Sequence, residues 1–418
     1  MSRVRQRSMV VRQTIRSSFF LAFILLQQGP DQVESQKLGG FVQTNGTRFI
    51  VNGDVVYFSG FNAYWMMLES SFPSERGKVS TTLEQASSYG LTLARAWAFS
   101  DGGQWPLQSS PGSYNENMFK ALDFVISEAR RNGIYLILSL VNNFDGFGGR
   151  KQYVQWARER GQDVSSDDAF YTNDVIKGYY KNHVKTVLTR INTVTSIAYK
   201  DDPTIFAWEL INEPSCKSDL SGSTLQAWIQ EMAAYVKSID NAHLLEVGMQ
   251  GFYGASMQGR RQFNPNGYVE GSDFISHNQV PGIDFTTIHG YPDTWLANWT
   301  SEEQLRFLQN WTQIHVSDSS AILKKPLLFT EFGKSLEPRG STADQRDAFY
   351  GQVYESAFAS ARDEGPLGGG LFWQLLAQGM DGLRDGYEIV LTQHRSTASI
   401  ISQISRRVSE LNRSRRHG

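Results

Sequence analysis

The sequence predicts an α/β fold, a single-domain (β/α)8 or TIM barrel, and three observations predict it. Eight short β-rich apolar runs alternate with amphipathic helical stretches along the chain. Two of the runs end in a glutamate: Thr204 to Pro214 closes on Asn212-Glu213-Pro214, and Pro326 to Gly333 carries Glu331 just before the Gly that ends the strand. A carboxylate where a strand stops lies on the face where such barrels keep their chemistry. No Pro/Gly/Ser-rich linker or charge block interrupts the chain beyond residue 40, so the chain from there on reads as one continuous domain. A doubly wound open sheet competes, but no Gly-x-Gly-x-x-Gly follows the first strand, and a dinucleotide site has little support.

Taken in order, the chain opens with Arg3, Arg5, Arg7, Arg12 and Arg16 before the apolar run Phe19 to Leu26, too short to span a bilayer and suited to a signal h-region. Residues 1–28 are therefore expected to be a secretory signal, with cleavage between Gln27 and Lys37. Phe49 to Val51 and the Asn52-Gly53 turn suggest a hairpin plugging the barrel bottom. The strands follow as Val56 to Phe61, Leu91 to Ala96, Ile134 to Val141, Thr204 to Leu210, His243 to Val247, Asp284 to His289, Leu327 to Glu331 and Gly370 to Leu375. Between them, Asn117 to Arg131, Val175 to Ala198, Thr224 to Ile239, Glu302 to Leu323 and Ala343 to Arg362 are amphipathic enough to cover a sheet. Arg406, Arg407, Arg413, Arg415 and Arg416 read as a solvated basic tail over 403–418, leaving 40–402 as the catalytic domain.

Composition narrows the function. A formal charge of -2 and a pI near 6.4 argue against nucleic acid or an anionic membrane surface as partner. Aromatic residues make up 12%, with 10 Trp and 17 Tyr, which suits a cleft that stacks flat-faced ligands. Cys216 is the single cysteine, so no intrachain disulfide can form, and with no neighbouring His it reads as incidental. The sequons at Asn45, Asn298, Asn310 and Asn412 fit a secreted glycoprotein, extracellular or in a cell wall. Seven His are scattered without His-x-x-x-His spacing, no P-loop exists, and no Gly-x-Ser-x-Gly elbow supports a Ser-His-Asp triad. Neither a metal nor a cofactor is expected, and the protein is expected to be a monomer.

The polar residues at the strand ends are the candidate site: Asn62, Arg95, Asn142 or Asn143, Asn212 with Glu213, His289 with Tyr291, Glu331 and Trp373. Arg95 is a charge in an apolar strand, costly unless paired, and Glu331 is the assigned partner. Two carboxylates in one cleft can divide labour as general acid and nucleophile, as glycoside hydrolysis requires. If they face each other at about 5 to 5.5 Å the reaction retains anomeric configuration. Arg95 and the Tyr291 hydroxyl would hold Glu331 as the anionic nucleophile, leaving Glu213 as acid and base with His289 in support. Asn212 can donate its amide to a sugar 2-hydroxyl, and Trp373 offers a platform for a pyranose. Trp65 and Trp156 stand between outer platforms and plain packing, and stay outside the site.

The chain resembles the plant endo-β-mannanases of glycoside hydrolase family 5. The likeness runs from Phe41 to about Ser402 and is carried by Phe61-Asn62-Ala63-Tyr64-Trp65, Ala94 to Phe99, Ser139 to Asp145, Gly148 to Tyr153, Trp208 to Pro214 and Leu371 to Leu375. It implies a (β/α)8 barrel and hydrolysis of internal β-1,4-mannosidic bonds in mannan, glucomannan or galactomannan of cell walls or seed reserves. It implies Glu213 as proton donor, Glu331 as nucleophile, contacts from Trp97, Asn212, Tyr291 and Trp373 to the sugar, and support from Arg95 and His289. Two positions depart from the family pattern: Phe144 stands where relatives carry Trp, and Gly290 replaces a bulkier apolar residue, expected to loosen the strand end that positions His289 and Tyr291. A covalent glycosyl-enzyme open to another sugar hydroxyl would also permit transglycosylation. The competing readings are a β-1,4-glucanase on the same barrel and a mannan-binding protein with weakened catalysis.

Overall fold

A computed structural model describes residues 38–337 and 340–415, and the expected signal at 1–28 lies outside them. Eight parallel strands form one sheet: β1 (Phe58–Asn62), β2 (Leu93–Trp97), β3 (Tyr135–Ser139), β4 (Ile205–Glu209), β5 (Leu244–Glu246), β6 (Thr286–Gly290), β7 (Leu327–Phe332) and β8 (Leu367–Phe372). Their order is β5-β4-β3-β2-β1-β8-β7-β6, so β8 returns to β1 and the sheet curls toward closure. The remaining seam, β5 to β6, is bridged by single bonds: Asp284 N to Leu245 O at 2.8 Å and His289 N to Gln250 O at 2.9 Å. Every strand residue is buried, which is why the runs read as continuous apolar stretches rather than alternating ones.

Helices cover the outside: α1 (Arg76–Ser88), α2 (Glu116–Arg131), α3 (Asp174–Leu188), α4 (Ser223–Ile239), the short α5 (Phe274–Asn278), α6 (Ser301–Asp318), α7 (Ala343–Arg362) and α8 (Arg395–Arg415). Thr300 with Glu303 and Thr342 with Gln345 make reciprocal capping boxes that start α6 and α7. The helix expected to reach Ala198 stops at Leu188, because Asn192 Oδ1 accepts Val194 N at 2.8 Å and Thr195 N at 3.2 Å and offers the backbone a turn instead. None of the described helices is long and apolar enough to cross a membrane.

The predicted hairpin is present, as Arg48–Val51 antiparallel to Asp54–Val55 about Asn52-Gly53, extended by Val42–Asn45 into three strands. Phe49 inserts into the bottom of the barrel, edge-on to Phe58, Phe206 and Phe285 at ring centroid distances of 5.9, 5.3 and 5.4 Å. It leaves no room for a side chain on the neighbouring strand: a Cβ at Gly368 would meet Phe49 at 2.7 Å.

Within the basic tail expected over 403–418, the residues through Arg415 continue the helix α8, which packs on α7. Ile401, Ile404 and Val408 bury one face, and Arg407 pairs with Glu355 on α7. Asn412 is 4% exposed and bonds both backbone groups of Tyr57, which takes its sequon out of reach of glycosylation in the folded protein, while Asn45, Asn298 and Asn310 are exposed.

Candidate active site

Arg95, on β2, is fully buried and is the hub of the barrel's upper end. Its Nε and Nη2 make a fork onto Glu209 at the end of β4, at 2.6 and 2.7 Å. Nη2 also donates to Asn212 Oδ1 at 2.6 Å, and Nη1 donates to Asn62 Oδ1 at 3.1 Å and to Glu331 Oε1 on β7. The expected pair with Glu331 is therefore there, and a second carboxylate, Glu209, holds the better geometry. Burial works against the guanidinium's charge, and Glu209 and Glu331 more than offset it. Glu209, buried as completely, is pushed up by desolvation but ends below the usual carboxylate range through Arg95's charge and hydrogen bonds.

Glu331 is nearly buried, with Oε1 on Arg95 and Oε2 accepting the Tyr291 hydroxyl at 2.7 Å. Burial raises its carboxyl above the ordinary range, against the pull of His289 and Arg95, and the nearby Glu213 adds to the rise. Desolvation thus outweighs the stabilising partners that the sequence makes visible.

Glu213 sits where the chain leaves β4, in the left-handed region at φ 51, a conformation costly for a residue with a Cβ. The bond from its N–H to Gly248 O, at 2.8 Å, helps hold it there. His289 Nδ1 lies 2.5 Å from Glu213 Oε1 and 3.6 Å from Glu331 Oε2, and a register shift after Ile288 places His289 directly beside Glu331. One donor atom each of Glu213, His289 and Glu331 lie within 4.8 Å of one another, the trio of described residues that could gather a metal ion. Arg95, Tyr291 and the mutual bond between His289 and Glu213 already engage those atoms.

The aromatic walls complete the cleft. Trp373 stacks on Tyr64 at 5.3 Å and 9°, is fixed by Nε1 donating to Asp385 at 2.7 Å, and leans toward Trp97 at 6.3 Å. Trp97 lies over the Arg95 guanidinium, 4.9 Å from its ring centroid. The Asn212 amide is oriented by Arg95 and by Nδ2 donating to Asn142 at 3.0 Å, leaving one amide hydrogen for the cleft. Thus Glu213, Glu331, Trp97, Asn212, Tyr291 and Trp373 line one cavity of about 600 Å³. A second cavity of about 710 Å³ adjoins it, sharing Phe144, Gln250 and Trp295 and including Glu270. Burial pushes the Glu270 carboxyl up to about 8.

Trp65 and Trp156 prove to be packing: both are buried, and Trp65 donates to Leu375 O at 3.0 Å. Gly290 is the last residue of β6, and a Cβ there would meet Phe329 at 2.6 Å and Leu308 at 3.1 Å, so the neighbours fill the space a larger residue would take. Glu209, on Arg95, and Tyr64, Asp385 and Tyr387, on the cavity wall, belong to the site without standing among the strand-end candidates. Glu209 carried the same signal as Arg95, a charge in an apolar run, whereas the others lie on loops or strand exits without a distinguishing pattern.

Residues 39–381 match the family model described as GH family 5 beta-mannosidase-like. The chain is 60% identical to mannan endo-1,4-β-mannosidase 1 of Oryza sativa subsp. japonica over 90% of its own length and 87% of the relative's. It is 57% identical to mannan endo-1,4-β-mannosidase 4 of Solanum lycopersicum over 89% and 92%. The endo-β-1,4-mannanase of Thermotoga petrophila superposes with a TM-score of 0.72 at 30% identity, over 85% of this chain and 77% of that one.

Proposed function

Because the chain belongs to the glycoside hydrolase family 5 β-mannosidase-like family, we propose that it is a secreted, retaining endo-hydrolase of internal β-1,4-mannosidic bonds in mannan, glucomannan and galactomannan. The observation that carries the mechanism is the pair Glu213 and Glu331, facing each other within 4.8 Å in an aromatic-walled cleft. With one oxygen of each within 4.8 Å of the other, the pair is too close for the water that inversion places between sugar and base, and direct attack by one carboxylate is favoured.

Glu331 attacks the anomeric carbon, since Arg95 and Tyr291 fix both its oxygens and aim the carboxylate. Glu213 gives its proton to the leaving oxygen, then takes one from the water that releases the sugar, and His289 against its Oε1 follows both changes. The free amide hydrogen of Asn212 meets the 2-hydroxyl, where hydrogen bonding strengthens as charge develops at the ring. A sugar hydroxyl entering in place of water gives transglycosylation.

The test is release of reducing ends from mannohexaose by the wild type beside Glu213→Gln and Glu331→Gln, with the product anomer followed by NMR. The wild type is expected to release β-anomer and each variant to lose on the order of 10³-fold or more in kcat. Release of α-anomer first, or faster attack on carboxymethylcellulose than on mannan, would overturn the proposal.

A further inference from the structure

Beneath the nucleophile lies a buried acidic pair that the hydrolytic roles do not use. Glu246 on β5 and Glu209 on β4 are cross-strand partners in the parallel ladder, and both are completely buried. Glu246 Oε2 accepts the Gly248 N–H and lies 3.3 Å from Thr287 Oγ1, while Oε1 is buried without any donor. The charged groups facing Glu246 are Glu209 from β4 and Arg95 from β2, with Glu331 of β7 beyond Arg95; β6 presents the uncharged Thr287. One guanidinium thus serves three buried carboxyls. An oxygen with no donor, beside a carboxylate that can only accept, is satisfied if it carries a proton itself.

We propose that Glu246 is a positioning residue that keeps its proton on Oε1 and donates it to Glu209, so that Glu209 alone carries the charge that locks Arg95 and Nη1 stays committed to Glu331. Desolvation and the charge of Glu209 both drive Glu246 toward the protonated form. The O–H also tempers Glu209: without that donor, Glu209 would compete harder for the guanidinium and Arg95 would stabilise the Glu331 anion less. The proposal deepens the hydrolase reading and rests on it only in naming Glu331 the nucleophile.

The protonation itself is read without substrate, by infrared difference spectroscopy at pH 7 between wild type and Glu246→Gln. The wild type is expected to show a protonated-carboxyl stretch that the variant lacks; loss of a carboxylate band instead would overturn the proposal, whether or not the protein hydrolyses mannan. Should Glu246→Gln fail to fold, Glu209→Gln decides: with Glu209 neutral, Glu246 ionises to balance Arg95 and the band disappears, and its persistence counts against the pair. On mannohexaose, Glu246→Leu is expected to lower kcat about tenfold with KM nearly unchanged. Its acidic limb of kcat/KM should move up by about half a pH unit, and Glu246→Gln, whose amide donates as the O–H did, should restore most of both. A Gln variant as impaired as Leu would show that a charge, not a donor, is needed there.

Discussion

Arg95 does two jobs at once, neutralising Glu209 and aiming Glu331, and its planar fork is what permits both. A lysine keeps the charge but presents a point donor, so Arg95→Lys should lower kcat by about 10²-fold while leaving KM within a few-fold. It should also shift the acidic limb. Glu331 must be ionised to attack, its carboxyl is already raised by burial, and a weaker cation raises it further, so activity is lost at higher pH than in the wild type. A kcat/KM profile across pH 3 to 8 checks both; an unmoved limb would mean that Arg95 orients the carboxylate without controlling its charge. At this scale, the rule that flagged Arg95 in the sequence extends to Glu209 and Glu246, since each is an ionisable group in an apolar strand. What sequence cannot supply is the partnership, because which of three carboxyls takes the fork depends on how β2, β4, β5 and β7 are arranged about the barrel.

The strands were legible as apolar runs to within one or two residues at most ends, because a barrel strand buried on both faces carries its whole signal in composition. The exception is β8, read as starting at Gly370 and found from Leu367. Gly368, Gly369 and Gly370 argue against a strand locally, and they are there because backbone and Phe49 press close: a Cβ at Gly369 would lie 2.2 Å from Phe58 O. Phe49→Ala should therefore empty the barrel floor and cost about 3 to 5 kcal/mol, read by urea unfolding. The C-terminal helix was hidden by its arginines, which are solvated on one face while Ile401, Ile404 and Val408 bury the other. Asn412→Ala strips partners from the buried N–H and C=O of Tyr57 and should cost about 1 to 3 kcal/mol, whereas exposed Arg413→Ala should change little. Equal effects would return the segment to a solvated tail.

Over the whole molecule, buried ionisable groups set how stability follows pH. Burial lifts Asp101 to about 8, with Gln108 and Tyr153 opposing it, lifts Glu270 to about 8 and lifts Glu246 well above the carboxylate range, while His183, His277 and His315 are pushed by burial down to about 4. Between pH 4 and 6.5 the unfolded chain binds protons on these three histidines that the fold does not, and the fold keeps protons on these three carboxyls that the unfolded chain has lost, so the opposing slopes largely cancel. Above 6.5 the histidines are neutral in both states and only the carboxyls differ. There the folded state binds more protons, and stability falls as pH rises toward 8, by up to about 1.4 kcal/mol per pH unit for each group. Urea midpoints are thus expected to decline from pH 6.5 to 8. Asp101→Asn, which cannot ionise but preserves a donor where the acid's O–H stood, should make the decline shallower. A midpoint that rises over that interval, or an Asn variant with the wild-type slope, would mean that Asp101 is ionised in the fold and that some cation, rather than its proton, balances it.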